Sequence, residues 1–345
     1  MELNNLLVVK RRKQLAEKKG ELSISHYRGD LHVHTKDDPD NVCLVGKDRI
    51  GSNCGVHRAE ELAFFKLMES GNEYLAITNH SRDGSPCNSL AKVADWLEEQ
   101  MSKKEAKNNA FFIVNYHDER LQKNIAQIDD LSKKYKKKKI INGIETNVID
   151  SGDFDTQMVE NNRFELVLAS IHPAVFAYEI DFAKYQDLLY MALDHPRTNI
   201  MAHIGYGMKE SIMDDLDWTL IAEKCIRNKV AIEINLKDWR QRVASSSQSI
   251  RKIDKRELPI LGSEKIMRQL SRYWSQGLVV AINTDTHFEK LLRSDNGYRY
   301  RYWRSGVFLV RTINILLKKH GIRKENIMNC WQYAKLMKYL RKDGR

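Results

Sequence analysis

Histidines and acidic residues occupy the ends of several short apolar stretches in this 345-residue chain. Six of the eleven histidines and two carboxylates follow this pattern: His32, His34, His80, Glu145, His172, His203, Asp285 and His287. Stretches of about four to eight apolar, β-rich residues are typical of buried strands. If these strands are parallel neighbours, their C-terminal ends open on one face and the eight side chains converge there. Imidazoles and carboxylates gathered in this way would hold a cluster of divalent cations, so the pattern predicts a metal-dependent enzyme.

The elements that must position these residues alternate between strand and helix. Helices are predicted around residues 181–193, 217–227 and 263–275, between stretches such as ELVLASIH, NIMAHIG, VAIEINL and LVVAIN. We count seven main strands, and this alternation predicts an α/β fold with a parallel sheet. A closed barrel fits better than an open sheet, because an open sheet binds its ligand at one switch point and would not recruit nearly every strand end.

The domain organisation follows from what separates these elements. The chain has five prolines, no Pro- or Gly-rich linker and no internal repeat, which predicts one barrel domain over residues 26–345. Residues 1–25 read as a basic helix or arm that precedes the barrel. A helical excursion at residues 81–139 interrupts it, and that excursion ends in the lysine run KKYKKKK.

The composition and net charge of the chain indicate which molecules it binds and where in the cell it works. The net charge is +11, from 57 basic against 46 acidic residues, which favours nucleic acid, nucleotides or other phosphates. Five irregularly spaced cysteines without a CxxC pair suit a reducing compartment. No apolar stretch reaches the roughly 20 residues that a membrane span requires, and LLVV precedes KRRK, the reverse of a signal peptide. We therefore predict a cytoplasmic protein without membrane association.

The donor types define the expected chemistry. His32 and His34 lie two residues apart on one strand, so their side chains point the same way and can chelate one cation. Glu145 and Asp285 are the predicted bridging carboxylates, and Asp30 is in phase to support a histidine or fix the strand end. Nitrogen and oxygen donors without thiolate suit zinc, manganese or iron. Such a cluster lowers the pKa of bound water, giving a hydroxide nucleophile, and clamps phosphoryl oxygens, which favours phosphate-ester hydrolysis.

These motifs also carry a family resemblance. The succession DLHVHT, ITNHS, GIETNV, LASIHP, MAHIG, EINLK and INTDTH resembles the PHP (polymerase and histidinol phosphatase) phosphoesterases, in family order from Asp30 to about Leu340. GIETNVIDSGDFD and AIEINLKDWRQR look most similar to the PHP domain of bacterial family X DNA polymerases and its stand-alone relatives. The resemblance implies a distorted (β/α)7 barrel, similar to a TIM barrel, with three divalent metals at the C-terminal ends of its strands.

The resemblance implies a ligand set position by position. It assigns the eight strand-end residues as ligands and adds a ninth in HTKDDPD, for which Asp40 is the first choice and Asp38 the alternative. Glu145, Asp285 and His203 are the predicted catalytic residues. The chain departs from the family at Asn79, where TNH replaces the common TDH, and in the length of the excursion.

Substrate groups are predicted from basic residues after two strand ends. Lys237, Arg240 and Arg242 follow the EIN strand and could hold phosphate. Arg299 and Arg301 lie in YRYRYWR, residues 298–304, where aromatic and basic side chains alternate as in sites for single-stranded nucleic acid. An ordinary alternating strand or amphipathic surface explains the second pattern equally well.

The sequence thus predicts a metal-dependent hydrolase that acts on phosphate esters. Nucleic-acid ends are the favoured substrate, through 3′–5′ exonuclease or 3′-phosphatase activity, with DNA binding. The alternative is a phosphatase for a phosphorylated small molecule, similar to histidinol phosphatase. A third interpretation, a non-catalytic nucleic-acid-binding barrel that keeps its metals for structure, is disfavoured because a structural site would tolerate loss of several ligands.

Overall fold

The computed structural model describes the part of the chain that builds the barrel. The described residues are 27–35, 44–45, 48–49, 58–69, 72–81, 121–156, 158–160, 163–172, 180–206, 208, 212–235, 262–285 and 316–342. The predicted arm at residues 1–25 and the excursion from residue 82 to residue 120 lie outside them. The proposed domain boundaries therefore stay predictions.

Seven parallel strands follow one another around the barrel in chain order. They are β1 (Gly29–Asp30), β4 (Tyr74–Ile77), β5 (Lys139–Asn147), β6 (Leu166–Ser170), β7 (Ile200–Met201), β8 (Ala231–Asn235) and β9 (Val280–Asn283), and each pairs in parallel with the next. A separate antiparallel pair joins β2 (Leu44–Val45) to β3 (Asp48–Arg49). The strand count and the nearly closed parallel barrel confirm the predicted fold class.

Helices connect the strands and cover the outside of the barrel. They are α1 (Ala59–Ala63), continued by a π-helix (Phe64–Glu69), α2 (residues 121–134), α3 (Phe182–Asp194), α4 (Ile212–Asp215), α5 (Trp218–Asn228), α6 (Gly262–Gln269), α7 (residues 316–319) and α8 (Tyr333–Leu340). Short 3₁₀ turns cover Ser271–Gln276, Lys324–Asn326 and Met328–Cys330.

Local sequence explains where the helices α3 and α5 begin. Asp181 accepts a hydrogen bond from the Lys184 amide at the start of α3, and Asp217 accepts one from the Leu220 amide at the start of α5. Each carboxylate satisfies an amide that has no partner within its own helix. The predicted helices around 181–193 and 217–227 are therefore confirmed to within one residue at each end.

The strands bury both faces, as parallel strands covered by helices do. Outward-facing residues such as Val167 and Ile232 pack against the helices in one large apolar cluster. Inward-facing residues such as Ile141, Leu168 and Ala281 form a second cluster, which α8 closes at the N-terminal end of the barrel. The inner face therefore changes from apolar side chains low in the barrel to polar ones at the C-terminal strand ends.

Amide side chains complete the barrel at the junction between β1 and β9, here called the seam. Asn329 Oδ1 accepts the Ile282 amide at 2.6 Å, and its Nδ2 donates to Gly29 O and to Asn283 Oδ1, each at 3.1 Å. Asn283 Oδ1 also accepts the Leu31 amide at 3.2 Å. Two buried asparagines thus supply donors and acceptors that a strand ladder would otherwise provide.

No helix within the described ranges is both long enough and apolar enough to cross a membrane.

Replacing Asn329 should destabilise the barrel through the seam. Asn329 is fully buried, so Asn329→Ala leaves several buried polar groups without partners, at a cost of about 2–4 kcal/mol in the free energy of unfolding. Urea unfolding followed by circular dichroism measures this change. Gln332→Ala, at a nearby exposed side chain, is the matched control and should change stability by less than about 0.5 kcal/mol. Equal stability of the two variants would contradict the role given to the seam.

Candidate metal centre

The structure brings seven of the nine predicted ligands together at the C-terminal ends of the strands. They are His32, His34, His80, Glu145, His172, His203 and Asp285. None of the seven exposes more than 7% of its surface. Asp40, its alternative Asp38, and His287 lie outside the described residues, so their placement stays a prediction.

Glu145 lies at the centre of this group. Its Oε2 is 3.0 Å from the Nε2 atoms of both His32 and His80 and 3.3 Å from that of His34. Its Oε1 is 2.7 Å from His203 Nε2 and 3.7 Å from His172 Nε2. Each of the five imidazole rings therefore directs its Nε2 atom toward the Glu145 carboxylate.

Asp285 approaches the group from the last strand. Its Oδ1 lies 3.4 Å from His34 Nε2 and 3.8 Å from His32 Nε2. Its backbone has φ of 44°, in the left-handed region that side-chain-bearing residues other than Asn and Asp seldom adopt. The strand end thus turns so that this carboxylate faces the two histidines that follow β1.

The donor set fits divalent cations. Three overlapping groups each place their ligand atoms within 4.8 Å of one another: His32, His34 and Glu145; His32, His203 and Asp285; His80, Glu145 and His172. Three imidazoles surround one carboxylate oxygen, and the Nε2 atoms of His32 and His34 are only 3.0 Å apart. A single oxygen offers about two lone-pair directions, so hydrogen bonds alone suit this crowding poorly. Cations that bind nitrogen and oxygen at about 2.0–2.2 Å would use all of these atoms.

The electrostatics of the cluster also indicate a site for cations. Burial alone would raise the pKa of Glu145, but the imidazoles of His32, His80 and His203 hold it well below its usual value. Burial would lower the pKa of His32, yet attraction from Glu233, Glu145 and Asp285 raises it well above its usual value. Glu145 is therefore held in its ionised form and requires positive charge nearby, which bound cations or protonated imidazoles can supply.

Glu233 on β8 is a site residue that the sequence reasoning missed. Its Oε1 lies 2.7 Å from His32 Nδ1, and its Oε2 accepts the His203 amide at 3.0 Å. Asn283 Nδ2 donates to Oε1 at 2.9 Å. A proton on His32 Nδ1 donated to Glu233 leaves the Nε2 lone pair facing the centre, which is the tautomer a metal ligand needs. An acid inside the apolar run AIEINL was the signal available in the sequence.

His172 is oriented by an amide that is in turn held by a carboxylate. His172 Nδ1 lies 2.7 Å from Asn147 Oδ1, and Asn147 Nδ2 donates to Asp155 Oδ2 at 2.9 Å. Asp155 Oδ1 also accepts the hydroxyls of Ser81, at 2.5 Å, and Thr146, at 2.7 Å. The orientation of the predicted ligand His172 is thus fixed by Asn147, which Asp155 holds in turn. Neither residue was identified from the sequence.

Asp30 fixes the strand ends at the seam. Its Oδ2 accepts hydrogen bonds from Lys66 Nζ at 2.8 Å and from Thr284 Oγ1 at 2.6 Å, and its Oδ1 accepts the Thr284 amide at 3.3 Å. Burial would raise the pKa of Asp30, but Lys66 and Thr284 lower it below its usual value. Of the two roles considered for Asp30, its side chain takes the second, since it anchors the residue immediately before Asp285.

Asn79 anchors backbone beside the cluster. Its Oδ1 accepts the Thr35 amide at 2.8 Å and its Nδ2 donates to Thr35 Oγ1 at 2.9 Å. The amide therefore ties the end of β4 to the segment that follows His34. This position departs from the common family motif, and here its side chain supports the strand ends.

Two histidines that are not predicted ligands pair with carboxylates outside the cluster: His195 with Glu160 and His320 with Glu264. The predicted substrate residues Lys237, Arg240, Arg242, Arg299 and Arg301 lie outside the described residues.

Metal content tests the central carboxylates. Glu145→Ala and Asp285→Ala should each lower the metal bound per chain, because each removes a donor shared with several histidines. Elemental analysis of protein purified without chelator measures this, with circular dichroism to show that the barrel is folded. Glu160→Ala removes an exposed carboxylate paired with His195 and should keep wild-type metal content. Wild-type metal content in both site variants would refute the assignment.

Glu233 gives a second, more graded test. Glu233→Gln keeps the shape of the side chain but removes the charge that orients His32, so metal affinity should fall by about 10–100-fold. Competition with a chromophoric chelator measures the affinity directly. Glu165→Gln, at a carboxylate near the start of β6, is the matched control. An unchanged affinity in Glu233→Gln would show that His32 needs no such partner.

The chain is similar to a curated bacterial protein and to a solved structure. No family model matches the chain. The DNA polymerase/3′-5′ exonuclease PolX of Bacillus subtilis is 23% identical over 272 residues, which make up 79% of this chain and 36% of that protein. The chain thus spans about a third of the length of this curated relative. A solved histidinol phosphate phosphatase from Lactococcus lactis, complexed with zinc, L-histidinol and phosphate, gives a TM-score of 0.46 at 15% identity and covers 86% of this chain and 95% of its own. The similarity to PolX, taken with the strand-end histidines and carboxylates, confirms the resemblance of this chain to the PHP family.

Proposed function

We propose that this chain is a metal-dependent phosphoesterase that acts on nucleic-acid ends, as a 3′–5′ exonuclease or a 3′-phosphatase. The observation that carries the proposal is the convergence of five histidine Nε2 atoms on the buried carboxylate of Glu145. A buried cluster of this composition is costly to maintain unless cations use it.

The cofactor is proposed to be three divalent metal ions, drawn from zinc, manganese and iron. The three overlapping ligand groups support this number, with Asp40 and His287 as additional proposed ligands. When bound, such ions lower the pKa of water and neutralise phosphoryl charge, which is what hydrolysis of a phosphate ester requires.

The residues of the chain orient the reaction around these ions. Glu145 and Asp285 are proposed to bridge cations and His203 to complete the catalytic set. Glu233 keeps His32 in one tautomer, and Asn147 does the same for His172. Every described ligand is nearly excluded from solvent, which supports a substrate that brings only a small group, such as a terminal phosphate, to the centre. This burial suits cleavage at an end rather than within a long strand.

Two observations support nucleic acid as the substrate. The net charge of +11 favours a polyanionic partner. The relative PolX is named a DNA polymerase and 3′-5′ exonuclease, and the match covers most of this chain. Lys237, Arg240, Arg242, Arg299 and Arg301 are the proposed contacts to backbone phosphates.

A phosphatase for a phosphorylated small molecule is the second candidate. The burial of the ligand cluster favours it as much as it favours a terminal nucleotide, because a small phosphomonoester would also reach the centre. The two candidates share the metal centre and differ only in what binds around it.

A substrate panel separates the candidates. Metal-reconstituted protein is assayed on labelled single-stranded DNA, single-stranded RNA, a 3′-phosphorylated oligonucleotide, histidinol phosphate and glycerol 2-phosphate. We expect the highest kcat/KM on oligonucleotide ends, and loss of turnover in Glu145→Ala on every substrate. Fast hydrolysis of a small phosphomonoester with none of oligonucleotides would reverse the ranking. No hydrolysis of any substrate with any of the three metals would refute the proposal.

Salt dependence of binding provides an independent measurement within the same experiment. Each phosphate contact contributes a slope of about −0.7 in log affinity against log salt for single strands, so several contacts give a steep decline. A single phosphate bound at the metal centre gives no comparable series of contacts. Wild-type oligonucleotide binding that is insensitive to salt would contradict the backbone contacts.

A further inference from the structure

One exposed aromatic side chain borders the metal centre. Tyr206 exposes 45% of its surface, whereas the histidines beside it are almost fully buried. Within the described residues, Phe64, Met191 and Tyr206 are the large apolar side chains with this degree of exposure. Tyr206 contacts two of the predicted metal ligands, His172 and His203.

The ring of Tyr206 lies against two histidines of the cluster. Its centroid is 5.3 Å from that of His172, with the two rings nearly perpendicular at 88°. Its centroid is 5.0 Å from that of His203, with an angle of 51°. Edge-to-face contacts of this kind hold an aromatic ring in a defined orientation. The ring is therefore fixed at the edge of the centre while much of its surface faces solvent.

The backbone around Tyr206 is equally constrained. Gly205 has φ of 86°, in the left-handed region where any other side chain would be strained, so this turn favours glycine. The Gly205 amide donates to the Tyr185 hydroxyl at 2.6 Å, and the Tyr206 amide donates to His203 O at 3.0 Å. Tyr185 is buried in the core, which connects the turn to the barrel.

We propose that Tyr206 selects substrates by stacking against a flat aromatic ring attached to the phosphate ester held at the metal centre. This inference rests on the phosphoesterase function proposed above and deepens it by naming the part of the substrate that Tyr206 recognises. A rigid, exposed aromatic surface loses little conformational entropy on binding and offers a π-face to any planar ring. A nucleobase at a strand end and the imidazole of histidinol phosphate share this chemistry.

Substitutions at Tyr206 test the stacking directly. Tyr206→Ala should lower kcat/KM about 5- to 150-fold on a ring-bearing phosphate ester, mainly through a higher KM, because it removes one stacking contact. Tyr206→Phe should retain wild-type values, since the ring is kept. Phe64→Ala, at an aromatic side chain exposed to a similar extent, is the matched control and should behave as wild type.

The choice of substrates distinguishes a nucleobase from an imidazole as the stacked ring. It also distinguishes stacking from a purely structural role of Tyr206. A 3′-phosphorylated dinucleotide is compared with the same molecule lacking its terminal base, and histidinol phosphate with glycerol 2-phosphate. A selective loss on the base-bearing dinucleotide identifies a nucleobase, and one on histidinol phosphate identifies the imidazole. Equal losses on ring-bearing and ring-free substrates, or a fall in metal content, would show that Tyr206 only supports His172 and His203. No loss on any substrate would also overturn the proposal.

Equilibrium binding keeps this test independent of turnover. Fluorescence polarisation of a labelled dinucleotide is measured with metal-loaded wild type and with Tyr206→Ala. Weaker binding by Tyr206→Ala supports the stacking even if wild type hydrolyses none of the substrates, a result that would refute the phosphoesterase proposal alone. Equal binding by both proteins, together with unchanged kinetics, would refute the stacking alone.

Discussion

The attraction between the buried Glu145 carboxylate and the surrounding imidazoles is the interaction on which the rest of this site depends. Burial by itself opposes the ionised form of Glu145, and only the positive charge around it keeps its pKa low. The ends of four strands contribute five histidine nitrogens to this balance, so each strand must end at the right height and with the right face inward. Closure of the parallel sheet into a barrel is the arrangement that satisfies this demand, since it brings all these ends to one mouth.

The structural seam and the site are linked by a single chain of hydrogen bonds. Asn329 donates to Asn283, Asn283 donates to Glu233, and Glu233 lies against His32. The same asparagines that join β1 to β9 therefore also determine the orientation of a predicted ligand. Asp30 adds a second connection, because it holds the Thr284 amide and hydroxyl just before Asp285 turns into its left-handed conformation. Strain at Asp285 is thus supported by contacts across the seam, which is how backbone strain is commonly retained at functional sites.

The sequence predicted the parts of this arrangement that have a local signature. Apolar runs alternating with helical patterns predicted seven parallel strands. The His, Glu or Asp residues at the ends of six of these runs predicted a common edge for the proposed ligands, because side chains alternate with a period of two. The roles of Glu233 and Asn147 could not be derived in this way, since their partners lie on other strands and across-barrel contacts leave no spacing pattern. His32 and Glu233, for example, are 201 residues apart in sequence. For Asp30, strand phase indicated a support role, and only the fold showed that its partners are Lys66 and Thr284.

The metal centre itself contributes little to the choice of substrate. A phosphoryl group presents the same oxygens to the cluster whatever it is attached to, so the ligands cannot distinguish a nucleotide from a small metabolite. Discrimination must come from side chains that contact the rest of the molecule as it enters. Within the described residues, Tyr206 is positioned beside the proposed centre by the turn at Gly205 and by two predicted ligand histidines. Because those histidines also belong to the proposed metal cluster, a ring stacked on Tyr206 would be placed relative to the reacting phosphate by the same contacts that build the centre.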